Sequence, residues 1–163
     1  MELRGHPLRD EDLKKGKVLT TSWDPQASYH WDTGVAIGRY LQGLKEGHLT
    51  GVVCDHCKKK VIPPRLFCEV CFRRMSRFVP LPDTGILNTY SVTYVRWDRT
   101  RTETPTMPAV IDIDGTSPVA GIMHLLGEVD PKEIKIGMRL KAVWKPEGER
   151  EGAITDIRYF KPI

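Results

Sequence analysis

Four cysteines constrain this chain more than any other feature. They fall within 18 residues, as Cys54-x2-Cys57, ten intervening residues, and Cys68-x2-Cys71. Zinc takes four soft ligands at tetrahedral corners, and two short loops that each supply two thiolates meet that geometry with little strain. Two disulfides would use the same residues, but a reducing cytoplasm disfavours them, and a redox pair needs only one such motif. The spacing therefore predicts one structural zinc ion per chain, held by Cys54, Cys57, Cys68 and Cys71. Four thiolates close the coordination shell and leave no position for an activated water, so the expected metal has no catalytic role. His56, inside the first pair, is expected to point to solvent.

The rest of the chain must fold around that clasp. With 163 residues, 40% of them apolar, it can bury one ordinary core or two small ones. No apolar run approaches the roughly 20 residues that span a bilayer, so no membrane association is expected. The first residues, MELRGHPLRDEDLKKGK, lack the apolar stretch and cleavage site of a secretory signal, which makes the expected location cytoplasmic. The net charge of +4 includes one dense stretch, Lys58, Lys59, Lys60, Arg65, Arg73, Arg74 and Arg77, which surrounds the cysteines. A positive surface there suits the phosphates of nucleic acid or of a nucleotide-bearing ligand such as coenzyme A. It is equally compatible with a solvated face that serves only solubility.

Residues 1 to about 30 read as an extended polar arm broken by Pro7, Gly16 and Pro25. Its large aromatics, Trp23, Tyr29 and Trp31, imply that it lies on another surface, within this chain or on a partner. Asp32 as N-cap, Ile37, Tyr40, Leu41 and Leu44 at helical spacing, and Gly47 as terminator predict an amphipathic helix over 32–46. Gly34, Gly38 and Gly43 inside it signify either a close backbone approach or tolerated exposure. Between the cysteine pairs, Pro63-Pro64 excludes helix and leaves a ribbon of short strands that presents Arg65 for bidentate contact with carboxylate or phosphate.

Beyond Pro82, strand-like runs follow at 85–97, 107–114, 118–129, 138–146 and 152–162. A tight hairpin is expected at Asp114-Gly115, and a helical turn at Asp130-Pro131. Five antiparallel strands with a short insertion after the third match a closed barrel of the oligonucleotide/oligosaccharide-binding (OB) type, although another five- or six-stranded barrel fits the pattern too. The predicted class is mainly β: an N-terminal arm and helix over 1–47, a zinc ribbon over 48–80, and a five-stranded barrel over 81–163.

The segments YLQGLKEGHL, CDHCKKKVIPPRLFCEVC, PDTGILNTYSVTYV and IKIGMRLKAVW resemble the zinc-ribbon plus OB-fold proteins that accompany thiolases and related acyl-CoA enzymes. The likeness covers about residues 32–163. It is most specific at the two cysteine pairs with Pro63-Pro64-Arg65 between them, followed by Gly85 opening the first barrel strand. The resemblance implies a rubredoxin-like ribbon and a non-catalytic accessory subunit. That subunit would form a hetero-oligomer with a thiolase-fold catalytic subunit and help bind the acyl-CoA. Arg65, Arg73 and Arg74, with Lys59 and Lys60 behind them, are the coenzyme A contacts it implies. Two positions depart from the family pattern: Lys58 and Phe72 stand where Gly often follows the second cysteine of a pair. The long aromatic arm resembles a subgroup serving thiolases of anaerobic aromatic degradation, such as benzylsuccinyl-CoA thiolase.

Function divides along these lines. With every cysteine assigned to metal and five dispersed histidines, no residue set forms a recognisable catalytic motif, so the chain is not expected to be an enzyme alone. A nucleic-acid-binding module is the alternative, with Tyr90, Tyr94 and Trp97 as stacking residues. Against it, Asp112, Asp114, Glu128 and Asp130 offset the barrel's cations.

Overall fold

The computed structural model describes residues 8–96 and 98–163 and divides into two units, Met1–Asp32 and Thr33–Ile163. In the first, the expected extended arm contains a short helix, α1 (Asp10–Lys14), and none of its described residues is buried. Its first turn is acidic (Asp10, Glu11, Asp12) and its last basic (Lys14), the arrangement that the helix dipole favours. The Tyr29 and Trp31 rings lie 6.3 Å apart, and both residues, like Trp23, are exposed.

The second unit opens with α2 (Gly34–Glu46). Thr33, not Asp32, occupies the N-cap. Gly47 closes the helix at φ 83°, and the N–H groups of Gly47 and His48 bond back to Leu44 and Gly43. The buried stripe is Ala36, Tyr40, Gly43 and Leu44; Ile37, expected inside, is exposed. Of the three helical glycines, Gly43 marks a close approach. A Cβ there would meet the Thr50 hydroxyl of strand β1 (Leu49–Val53), whereas Gly34 faces open space.

β1 is the centre of a three-stranded antiparallel ribbon, flanked by β2 (Lys60–Val61) and β3 (Arg77–Leu81). The barrel follows as β4 (Thr84–Tyr90), β7 (Pro108–Ile113), β8 (Gly121–Leu125), β9 (Arg139–Trp144) and β10 (Ile157–Pro162), in the order β10-β9-β4-β7-β8. A parallel bridge from Leu126 to Phe160 joins the two outer strands and closes the barrel. Inward residues alternate along the strands, with Leu87, Ile111, Leu140 and Phe160 fully buried. They form one core with Tyr40, Leu44, Leu49 and Ile62, which seats the helix and ribbon on the barrel. Gly85 is obligatory there, since a Cβ would press on the Asp112 carbonyl of the neighbouring strand.

Two expectations change. The run predicted over 85–97 breaks after Tyr90, and β5 (Thr93–Val95) pairs with β6 (Arg101–Thr106) as a separate two-stranded ribbon. Pro105 lacks an N–H for a central ladder, which suits it to such a ribbon. Trp97 lies outside the described residues. Asp114-Gly115 sits in a longer loop, not a tight hairpin, because Asp114 turns back to Thr84 and to both terminal nitrogens of Arg139, at 2.7 and 2.6 Å. The single turn expected at Asp130-Pro131 is present: the Asp130 side chain accepts the Lys132 N–H, and the Glu133 N–H closes the turn on the Asp130 carbonyl.

Candidate metal centre and its cationic surface

The two cysteine pairs are built alike. In the first, the Lys58 N–H donates to the Cys54 carbonyl and the Cys54 N–H to the Lys59 carbonyl, both at 2.8 Å. In the second, Phe72 donates to Cys68 and Cys68 to Arg73, both at 2.9 Å. The same turn therefore occurs twice. Each needs a left-handed residue at its fifth position, and Lys58 (φ 63°) and Phe72 (φ 54°) supply it. A non-glycine residue in this region carries strain on the order of 1–2 kcal/mol, which the surrounding turn must hold in place.

The turns bring the four sulfurs within 4.8 Å of one another, with Cys54–Cys71 and Cys57–Cys68 at 3.5 Å. A tetrahedral zinc site with Zn–S bonds of about 2.3 Å has sulfur–sulfur edges near ~3.8 Å, so the donor set fits that metal. His56 is exposed and outside the cluster. Beneath the sulfurs, Val52, Val61, Met75 and Ala120 pack with Cys54 and Cys68 in a second small core. The Lys60 N–H and carbonyl bond to Ser117, tying the ribbon to the barrel loop.

Electrostatics favour a bound cation. Backbone N–H groups of Cys57 and, more weakly, His56 point at the Cys54 sulfur and pull its thiol down to about 7; those of Cys71 and Val70 lower Cys68. Cys57 and Cys71 receive such bonds too, from Lys59 and Arg73. Their thiols nonetheless rise, Cys57 to about 12, because neighbouring sulfurs and burial oppose further negative charge. A dication removes that mutual repulsion.

The cations separate into two groups. Glu69, between the second pair of cysteines, binds Lys59 through one carboxylate oxygen (2.5 Å) and Arg65 through the other (3.3 Å). The Lys59 ammonium, followed by the Glu69 backbone N–H and the Arg65 guanidinium, holds the Glu69 carboxyl below its usual range. Arg77 pairs with Asp55 at 2.7 Å. Arg73 and Arg74 are exposed and, with Lys60, have no ion pair among the described residues. The sequence reading singled out Arg65 as the module's most pointed charge, but it overlooked the carboxylate that anchors it. It also missed the apolar tip of the second turn, where Phe67, Val70 and Phe72 are all exposed beside Arg73 and Arg74. The hint for both was local: Glu69 and Val70 are the two residues between Cys68 and Cys71.

No helix among the described residues is long and apolar enough to cross a membrane. No curated protein sequence matches the chain. Its fold is shared with a crystal structure of a DUF35-family protein of unknown function from Sulfolobus solfataricus (21% identity, TM-score 0.58, 68% of this chain and 78% of that one). It is also shared with a chain of the Ltp2–ChsH2(DUF35) aldolase, at 20% identity and TM-score 0.58, over 84% of this chain and 98% of that one. Two family models match in tandem: the ChsH2 rubredoxin-like zinc ribbon domain over residues 41–76, and the ChsH2 C-terminal OB-fold domain over 78–145. The chain therefore belongs to the ChsH2 family of zinc-ribbon plus OB-fold proteins.

Proposed function

We propose that this chain is a non-catalytic, zinc-binding subunit of a thiolase-type acyl-CoA enzyme complex, in which it supports the catalytic partner and helps hold coenzyme A. Degradation of aromatic compounds is the proposed setting. The observation that carries this reading is the use of the four cysteines. All lie in one cluster, so none is left as an acyl-accepting nucleophile, while the densest cationic stretch of the chain surrounds them. A partner would then supply the nucleophile and the acid/base groups. The solved relative comes from an assembly described as an Ltp2–ChsH2 aldolase. An aldolase, like a thiolase, makes or breaks a carbon–carbon bond, which supports a place beside an enzyme of that chemistry. The exposed Trp23, Tyr29 and Trp31 of the arm offer further contact surface.

Coenzyme A carries a 3′-phosphate and a diphosphate, and arginine grips such groups through paired N–H donors. Arg73 and Arg74, exposed and without ion pairs, are the proposed first contacts. Arg65 and Lys59, positioned by Glu69, and Lys60 complete the cationic field. In the reconstituted complex, Arg73→Ala with Arg74→Ala should raise the KM for coenzyme A about tenfold with little change in kcat. Loss of one or two charged phosphate contacts predicts that pattern. Arg65→Ala should have a smaller effect in the same direction. An unchanged KM in both variants would remove these residues from the site.

A nucleic-acid-binding role has less support. Tyr90, one of its stacking candidates, packs against the core and donates its hydroxyl to the Ile134 carbonyl at 3.3 Å.

A further inference from the structure

The outer wall of the barrel carries an apolar surface that neither the core nor the metal module uses. Pro108, Met123, Leu125 and Ile154 line an open groove of about 420 Å3. A second hollow of about 300 Å3 shares Pro108 and Met123 and extends the surface to Tyr90 and Val110. Met123 is 72% exposed, Leu125 41% and Ile154 44%, so β8 and the turn before β10 present aliphatic side chains to solvent at one place. A contiguous patch of this kind marks an interaction site more often than isolated apolar residues do.

The groove lies where the barrel closes most loosely. β8 is the last strand in the sheet order, and its backbone pairing with β10 lies beyond its end, at the Leu126–Phe160 bridge and the Gly127 N–H to Phe160 carbonyl bond. His124 secures this opening. Its Nδ1 accepts the Leu125 N–H at 2.9 Å, which assigns the ring proton to Nε2, and Nε2–H donates to the Ile154 carbonyl at 3.2 Å. The ring edge also meets Phe160, with centroids 5.8 Å apart. The His124 ring thus bridges the two walls of the groove, β8 on one side and the turn at Ile154 on the other.

Charge selects the occupant. Lys145 and Arg158 stand among the lining residues, and no carboxylate lines either hollow. Lys145 is 3.9 Å from the buried Asp156, and Arg158 has no ion pair among the described residues. A second copy docked symmetrically through this face would bring the same cations together. Single-stranded nucleic acid would need exposed aromatic platforms where the groove offers aliphatic walls.

We propose that this groove docks the catalytic subunit of the complex, which presents to it apolar side chains flanked by carboxylates. The proposal rests on the subunit reading above and specifies the face used. Its test titrates the chain against the thiolase-fold subunit from the same gene neighbourhood. Met123→Asp and Arg158→Glu, both at exposed positions, should each raise Kd about tenfold or more, as truncating or reversing a central interface contact does, with an unchanged thermal midpoint. In the wild-type complex, amide exchange should slow at residues 122–125 and 154–158, a readout that stands even where a variant folds poorly. Wild-type Kd values in both variants, or no added protection in those segments, would overturn the docking face and leave the subunit reading intact. Failure of the wild-type chain to bind would overturn both.

Discussion

At the scale of single residues, Asp156 carries the most concentrated electrostatics of the barrel. It is fully buried and accepts the backbone N–H groups of Glu151, Gly152 and Ala153 at 2.7–3.0 Å, with Lys145 at 3.9 Å. Burial pushes its carboxyl up, but the three N–H bonds and Lys145 outweigh it, and the group lies below the usual carboxylate range. A carboxylate whose folded pKa is depressed contributes stability that is complete above its unfolded pKa and is lost as pH falls through the folded one. Asp156→Asn puts an amide against three donors and should cost about 2–4 kcal/mol at neutral pH. The deficit should shrink below about pH 4, where the wild-type carboxyl loses its advantage. Denaturant titrations of both proteins across pH measure this, and a constant difference down to pH 2 would contradict it. Such a residue was invisible in the sequence, where Asp156 is one acid in a run between Gly152 and Ile157. Its partners are backbone groups whose direction only the folded turn sets. Glu69 illustrates the same limit, since its hold on Lys59 and Arg65 depends on a chain reversal between them.

Individual elements were legible where covalent geometry or periodicity dictates them. The four-cysteine spacing leaves few arrangements, and Lys58 and Phe72 stood out because a turn there demands positive φ. Helix α2 followed from its stripe and from Gly47, but its buried face rotated from Ile37 to Ala36, because the close contact at Gly43 sets the roll of the helix against β1. The β5–β6 ribbon was not legible. Its threonines and Tyr94 read as a continuation of one barrel strand, and nothing local marks where pairing partners change. The metal module makes the clearest prediction at this scale. Its small core includes Cys54 and Cys68 themselves, so the cluster and the packing stand together. One zinc per chain is expected, and Cys68→Ser should lose both the metal and the folded ribbon, because binding free energy is folding free energy in modules of this size. Metal analysis with amide exchange over 49–81 tests it. A protected ribbon without metal would contradict it.

For the whole molecule, the two halves of the second unit present different surfaces. The ribbon gathers cations around a closed metal site, and the barrel turns an aliphatic groove outward on the side where its strands part. The barrel class was readable from five strand-like runs, but the groove was not, because which side chains of a strand face outward depends on how the barrel closes, and Met123, Leu125 and Ile154 come together only there. The central claim is that the chemistry belongs to a partner and needs this chain beside it. Omission assays of thiolysis test it most directly, with the chain, the thiolase-fold subunit and the two together assayed under identical conditions. The account predicts full activity only for the combination and none for this chain alone. Full activity of the thiolase-fold subunit in its absence would contradict it.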